Sequence, residues 1–182
     1  MSEPDGLRTG AFATPPPAER PTTPGPSYGV PRRGGTMVEW SSVVERVRAA
    51  SAYWLATVTP SGRPHVVPIW GVFVRNDLYL EIGAPETAKA RNLAANPVVA
   101  VHLDGVDDAV ILFGTAVPMR PDAGLGTELA AAFRAKYAGY APEATAWETG
   151  GLVRIDPATL LAWRDMPTAT RWRFSAATPE MP

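Results

Sequence analysis

The 182-residue chain has no cysteine and only two histidines. The absence of cysteine excludes disulfide bonds, thiolate catalysis and thiolate-bound metals. Two histidines are fewer than zinc or iron sites usually use, so we predict no metal site. The formal net charge is −1, which provides no basic surface of the kind that nucleic acids attract. We therefore expect no nucleic-acid partner.

Long apolar runs are also missing. No run reaches the roughly 20 residues that a membrane-spanning helix needs, and the N-terminus lacks the basic start and apolar middle of a signal peptide. These absences predict a cytoplasmic protein without a membrane partner. Glycine-rich phosphate loops and nucleophile elbows are absent too. A chain without such motifs fits a protein whose chemistry belongs to a bound cofactor.

The distribution of proline divides the chain. Eight of the 20 prolines lie within residues 1–36, and this segment contains too few large apolar residues to offset the entropy cost of ordering it. We predict a disordered Pro-rich tail over residues 1–36, a folded domain over 37–174 and a short flexible tail over 175–182.

Apolar alternation broken by turn residues predicts an antiparallel sheet with a few helices. Pro60-Ser61-Gly62 and Arg75-Asn76-Asp77 are its hairpin turns, and we expect a bend at Gly114. An acidic turn over residues 104–108 lacks the ligand spacing of a calcium loop. The predicted strands are residues 52–59, 65–74, 78–82, 98–103, 109–117, 151–155 and 159–163. The predicted helices are residues 38–51, 85–96 and 125–137.

The short helix over residues 85–96 is a candidate phosphate site. It begins directly after a predicted strand, and Lys89 and Arg91 lie in its first turns. A helix N-terminus offers unpaired N–H groups and a partial positive charge, to which Lys89 adds a full one. In the alternative interpretation both cations lie on a solvated face, and Glu86 balances the helix dipole. The spacing alone leaves both interpretations open.

A resemblance to a known family rests on four segments that occur in the family's order: GRPHVVPIW, LYLEI, KARNLAANPVVAV and PATLLAWRDMPTATRWRF. The chain resembles the pyridoxamine 5'-phosphate oxidase-like superfamily, in particular its branch of small flavin- or deazaflavin-dependent oxidoreductases. The resemblance implies a mainly β (α+β) fold, a six- to eight-stranded antiparallel split β-barrel of the FMN-binding type with a few peripheral helices. It also implies a homodimer with two cofactor sites at its interface.

The resemblance also implies which residues form the site. One strand would hold the cofactor ring through its backbone, and a following strand end would line the same groove. The start of helix 85–96 would hold the phosphate, and the second chain would add a tryptophan and an arginine. In that order, the implied cofactor-binding residues are His65, Val66, Val67, Pro68, Ile69 and Trp70; Glu81, Ile82 and Gly83; Thr87, Lys89 and Arg91; and Trp163 and Arg173.

The implied substrate pocket differs from that of the oxidase itself. Two residues that bind pyridoxal phosphate in the oxidase correspond to Ala169 and Arg171, and the alanine argues against vitamin B6 oxidase activity. We expect Thr170, Arg171 and Trp172 to shape a pocket for a different small-molecule substrate. Packing at an interface is an equal alternative for Trp163 and Trp172.

The implied function is an oxidoreductase that transfers a hydride to or from a small organic substrate, with no catalytic residue identified. His65 and Trp70 replace basic residues of the oxidase, and the abundance of Ala, Gly, Pro and Arg suggests a GC-rich genome. Both points favour coenzyme F-420 slightly over FMN as the cofactor. The alternatives are a non-catalytic module that binds a flavin or deazaflavin, or one that binds haem through His65 and His102.

Overall fold

The computed structural model describes residues 9–23 and 29–175. Its helices are α1 (Trp40–Ala49), α2 (Ala88–Ala95) and α3 (Ala123–Lys136). Its strands are β1 (Ala18–Glu19), β2 (Tyr53–Val58), β3 (Pro64–Ile69), β4 (Gly71–Val74), β5 (Asp77–Glu81), β6 (Val98–His102), β7 (Ala109–Met119), β8 (Leu152–Trp163) and β9 (Thr170–Arg173). Beyond Ser175, the predicted C-terminal tail lies outside the described residues. No helix within the described ranges has the length and apolar character needed to cross a membrane.

The nine strands form one antiparallel sheet. The main path runs β1-β9-β8-β7-β6-β2-β3, while β5 pairs with β8 and β4 pairs with β5. Strand β8 pairs with β7 along its length, whereas β5 and β9 pair with different halves of β8. The sheet therefore divides at β8 into a long branch and a short one. The mainly antiparallel fold predicted from the sequence is confirmed.

Strand β8 is continuous where the sequence predicted two strands separated by a turn. Pairing with β7 runs through Asp156 and Pro157, and the register shifts between Phe113 and Gly114. A Cβ atom on Gly114 would lie 2.3 Å from the carbonyl oxygen of Asp156. The register shift lies at Gly114, the residue where the sequence predicted a bend, and this irregularity lets β8 accommodate a proline without ending.

The predicted strand over residues 65–74 is broken at Trp70 into β3 and β4. A Cβ atom on Gly71 would lie 2.7 Å from the backbone carbonyl oxygen of Tyr79, so only glycine allows β4 to lie this close to β5. The hairpin that joins β4 to β5 is confirmed. Its residues Arg75 and Asn76 have φ values of 50° and 61°, as a type I′ turn requires.

Two apolar clusters form the core. The larger fills the interior of the sheet and includes Tyr53, Leu55 and Ile155. The smaller lies between α3 and the β4–β5 hairpin. Leu125, Leu129 and Phe133 form the buried stripe of α3 that their four-residue spacing predicts. Asp122 caps this helix by accepting a hydrogen bond from the Leu125 backbone N–H at 2.8 Å.

The described part of the N-terminal segment differs from the expected disordered tail. Phe12 is 2 % exposed and stacks on Trp40 with ring centroids 5.8 Å apart. Strand β1 pairs with β9, and the Arg20 guanidinium donates to the carbonyl oxygens of Pro167 at 2.6 Å and Ala169 at 3.1 Å. One aromatic anchor and one multiply bonded arginine hold a segment that is otherwise poor in apolar residues.

We predict that Phe12→Ala lowers the free energy of unfolding by about 3–5 kcal/mol, because it removes a buried aromatic ring from the larger cluster. Urea denaturation measures the change. Thr14→Ala, an exposed position two residues further on, is the matched control and should leave the free energy of unfolding unchanged. Equal stability of wild type and Phe12→Ala would show that the segment does not pack on the domain.

Candidate functional site

Helix α2 begins where the sequence placed a phosphate site. Thr87 is its N-cap and accepts a hydrogen bond from the Ala90 backbone N–H at 3.3 Å. The Thr87 hydroxyl donates in turn to the carbonyl oxygen of Ile82 at 3.3 Å. The hydroxyl therefore fixes the turn between β5 and α2, and its hydrogen is already committed within the chain.

The two cations of α2 have different surroundings. Lys89 is half-buried and makes no hydrogen bond or ion pair with any described residue. Arg91 is exposed, and its guanidinium donates to the carbonyl oxygen of Glu86. Glu86 itself is exposed, and its backbone carbonyl oxygen supplies this contact. Of the predicted phosphate ligands, Lys89 is thus the one whose charge is left without a partner in the described chain.

A buried polar chain ties α2 to the sheet. The side-chain amide of Asn92 donates to the Thr57 hydroxyl at 2.9 Å, and that hydroxyl lies 3.3 Å from Nδ1 of His65. Asn92 and Thr57 are both buried. The sequence analysis did not predict these two residues. Asn92 could have been recognised as a polar residue of the KARNL segment that follows Lys89 by about one helical turn.

Strand β3 is an edge strand in the part of the chain described here. It pairs with β2 on one side only, and its side chains alternate between the core face and the outer face. Ile69 is buried, His65 and Val67 are half-buried, and Val66 and Pro68 are exposed. The outer backbone groups of β3 therefore have no strand partner among the described residues.

Trp70 lies at the corner between β3 and β4 and is 46 % exposed. Its ring stacks on Tyr137 with centroids 4.7 Å apart and planes 17° apart. The Tyr137 hydroxyl donates to the carbonyl oxygen of Gly71 and accepts from the Gly71 backbone N–H, each at 2.9 Å. Trp70 therefore presents a flat apolar surface on a fixed support.

Lys136 supports the same corner from inside. Its ammonium group donates to the Gly71 carbonyl oxygen at 2.7 Å and to the Tyr53 hydroxyl at 3.0 Å, and lies 4.6 Å from the Tyr53 ring centroid. Burial lowers the pKa of Lys136 to about 8. Burial also raises the pKa of Tyr53, with a smaller contribution from Tyr137.

Glu81 ends β5 beside this corner. Its backbone N–H donates to the Trp70 carbonyl oxygen at 3.0 Å, and its Oε1 accepts from the Tyr140 hydroxyl at 2.6 Å. Burial raises the pKa of Tyr140, and the hydrogen bond to Glu81 adds to the effect. Glu81, Ile82, Gly83 and Arg91 line a cleft of about 780 Å³, so the structure brings these four predicted residues together.

The predicted site residues near the C-terminus lie on β8 and β9, away from the edge strand β3. Trp163 ends β8, and Arg173 and Arg171 of β9 both donate to Glu19, at 2.8 and 2.7 Å. Strands β2, β6 and β7 separate them from β3 in the sheet order. The sequence prediction did not anticipate the contact with Glu19, because that residue belongs to the supposed tail.

The expected substrate pocket is not formed by these side chains in the single chain. Thr170 is fully buried and accepts a hydrogen bond from the Val38 backbone N–H at 2.8 Å. Trp172 is buried and packs 5.4 Å from the Trp40 ring centroid. Strand alternation turns both residues inward and leaves only Arg171, between them, on the outer face.

The described residues contain no group of three His, Asp or Glu side chains placed to hold a metal ion. Together, the edge strand, the helix start with an unpaired lysine and the divided antiparallel sheet define a split barrel with a candidate anion and ring site. The chain belongs to the pyridoxamine 5'-phosphate oxidase family, whose model matches residues 41–164.

Solved structures share this fold at low sequence identity. The conserved hypothetical protein Rv2991 of Mycobacterium tuberculosis is 20 % identical, with a TM-score of 0.61 over 82 % of this chain and 94 % of that one. A haem-binding protein of Mycobacterium smegmatis is 16 % identical, with a TM-score of 0.55 over 71 % and 57 %. A putative pyridoxamine 5'-phosphate oxidase of Listeria innocua is 14 % identical, with a TM-score of 0.53 over 69 % and 98 %. The expected split-barrel fold is confirmed, but neighbours this distant do not define the ligand.

Curated proteins gave no significant sequence match.

We predict that the free energy of unfolding rises between pH 8 and about 10 in the wild type relative to Lys136→Met. The folded lysine loses its proton near pH 8, whereas the unfolded one keeps it to about 10.4, so the unfolded state binds more protons in this window. Below pH 8 Lys136 is charged in both the folded and the unfolded state, so the difference in free energy of unfolding between the two variants should not change with pH. Urea denaturation of both variants across this range measures it; parallel curves would show that Lys136 titrates normally.

Proposed function

We propose that the protein is an oxidoreductase that binds a flavin-type cofactor, coenzyme F-420 or FMN, and transfers a hydride to or from a small organic substrate. The observation that carries the proposal is Lys89, a half-buried cation without a described partner, at the start of a helix beside an edge strand. When bound, the cofactor supplies the redox chemistry; the chain supplies binding, orientation and exclusion of water.

The start of α2 fits a phosphate group. The first N–H groups of a helix have no partner within it, and the helix dipole favours an anion there. Lys89 adds a full positive charge. The Asn92–Thr57 hydrogen bond holds the helix against β2, so the lysine is carried on a fixed support. Thr87 and Arg91 are weaker candidates, because their polar groups already bond to the Ile82 and Glu86 carbonyl oxygens.

The ring of such a cofactor fits the edge of β3. Backbone N–H and C=O groups on the free edge would meet the polar edge of the ring, although Pro64 and Pro68 offer no N–H. The exposed faces of Val66 and Trp70 would contact its apolar surface. Because His65 and Trp70 do not supply the positive charges that the oxidase has there, we favour coenzyme F-420 over FMN.

A second copy of the chain would cover the outer face of the sheet. Cross-strand pairing places Val66, Ala56, Ala100 and Phe113 in one row across β3, β2, β6 and β7. Val66 is 50 % and Phe113 is 42 % exposed, and Val98 beside them is 60 % exposed. A contiguous apolar face of this kind is typical of a protein–protein interface.

The same row explains why the site would need two chains. Beyond Phe113 it continues through Thr159 of β8 to Arg173 of β9. A two-fold axis through the middle of the row would place the Arg173 end of one chain on the Val66 end of the other, because such an interface is self-complementary. Trp163 and Arg173 would then complete the cofactor site of the partner.

We predict that Lys89→Ala weakens the binding of F-420 and FMN by about ten- to a hundredfold, because a hydrogen bond to a charged group contributes about 1.5–3 kcal/mol. Fluorescence titration measures both affinities. Lys89→Arg should retain most of the affinity, and Arg33→Ala, at an exposed position away from α2, should retain all of it. Unchanged affinity in Lys89→Ala would remove the phosphate assignment.

We also predict that the wild type is a dimer and that Phe113→Glu is a folded monomer, since the substitution places a charge in the middle of the apolar face. Light scattering after size-exclusion chromatography gives the mass. Val106→Glu is the control, because Val106 is exposed in the turn after β6 and outside the face. A monomeric wild type would contradict the shared site.

A further inference from the structure

Arg171 and Arg173 form a pair of cations on the outer face of β9. They are two residues apart, so strand alternation directs both side chains to the same side, and Trp172 between them is buried. The Arg173 side chain is 65 % exposed, and the residue lines a cleft of about 590 Å³ beside residues 15–17. A ligand in solution can therefore reach this end of the pair.

One carboxylate oxygen joins the two guanidinium groups. Oε1 of Glu19 accepts a hydrogen bond from Nε of Arg171 at 2.7 Å and another from Nε of Arg173 at 2.8 Å. The Nη groups of both arginines form no hydrogen bond with any described residue. Guanidinium groups bind the carboxylate and phosphate groups of ligands through the same N–H donors. Glu19 thus occupies the place that an oxyanion of a ligand would take.

The N-terminal segment fixes Glu19 at this position. Glu19 pairs with Arg171 in the β1–β9 ladder. Phe12 on one side is buried in the larger apolar cluster, and Arg20 on the other side donates to two backbone carbonyl oxygens just before β9. A carboxylate that belongs to the same chain faces the arginines at a high effective concentration. An anion from solution has to compete with it.

We propose that Glu19 is an internal competitor of an anionic ligand that binds at Arg171 and Arg173. The ligand binds when the Glu19 side chain leaves the two arginines, and its oxyanion then accepts their N–H groups. The apparent affinity falls with the fraction of molecules in which Glu19 holds the pair. The importance of this competition for the cofactor rests on the proposed function, which assigns Arg173 to the cofactor site.

Competition and mere orientation by Glu19 predict effects of opposite sign. If the carboxylate only oriented the arginines for a ligand, its removal would weaken ligand binding. If it competes, its removal strengthens binding, because the negative charge that repels the ligand and occupies the donors is gone. The Glu19 side chain is 42 % exposed, so its replacement should leave the core intact.

The first probe is inorganic pyrophosphate, whose affinity is measured by titration calorimetry at low ionic strength. We expect Glu19→Gln and Glu19→Ala to bind it about five- to tenfold more tightly than the wild type, the order expected for one nearby charge in exposed surroundings. Glu143→Gln removes the same charge from an exposed position between α3 and β8, and this control should bind like the wild type. Unchanged or weaker binding in the Glu19 variants would overturn the proposal.

A second comparison tests whether the gain depends on the arginine pair. Glu19→Gln is repeated in a chain that also carries Arg171→Gln and Arg173→Gln. We expect no gain in pyrophosphate affinity there, because the carboxylate no longer blocks any guanidinium group. A gain of the same size would place the pyrophosphate elsewhere and overturn the proposal.

FMN and riboflavin, which share a ring but differ in the phosphate group, test the connection with the cofactor. We expect Glu19→Gln to raise the affinity for FMN by about the same factor and to leave that for riboflavin unchanged in a fluorescence titration. Equal FMN affinities of Glu19→Gln and the wild type would overturn a role at the cofactor site. If no variant binds FMN or F-420 and the gain for pyrophosphate persists, the proposed function is wrong and the competition by Glu19 stands.

Discussion

Pairing along β8 holds the two parts of the sheet together. Eleven of its 12 residues pair with β7 on one edge, and β5 and β9 pair in turn with the other edge. Because β5 and β9 leave β8 at different points, the sheet divides there. The division places the β4–β5 hairpin and α2 at one end, and no described residue covers the exposed side chains of Val66, Val98 and Phe113 on the outer face of the long branch. Both halves of the proposed cofactor site follow from this one strand.

The corner between β3 and β4 shows how the fold fixes an exposed aromatic surface. Lys136 and Tyr137, adjacent on α3, both bond to Gly71, while Tyr137 also supports the Trp70 ring. Helix α3 is held by its own buried stripe and by the Asp122 cap. The position of an exposed aromatic surface is therefore set by α3.

Local patterns in the sequence predicted most elements, and long-range contacts explain the differences. The stripe of α3 and the Arg75-Asn76 turn depend on neighbours in sequence, and both are confirmed. Residues 9–23 pack on the domain because Phe12 and Arg20 contact residues that are distant in sequence. Composition alone does not reveal such contacts. In the candidate site, Lys89 could be predicted because it lies at the start of a helix. Asn92 and Tyr140 could not, because each forms its hydrogen bond with a residue 35 or 59 positions away.

We propose that Lys89 of one chain and Arg173 of another complete one cofactor site. Lys89→Ala and Arg173→Ala should each bind cofactor weakly when purified alone. Co-expressed in equal amounts, half of the dimers are mixed, and each mixed dimer has one intact site, so about a quarter of the wild-type binding capacity should return. A mixture that binds no more than the average of the two variants would contradict the account.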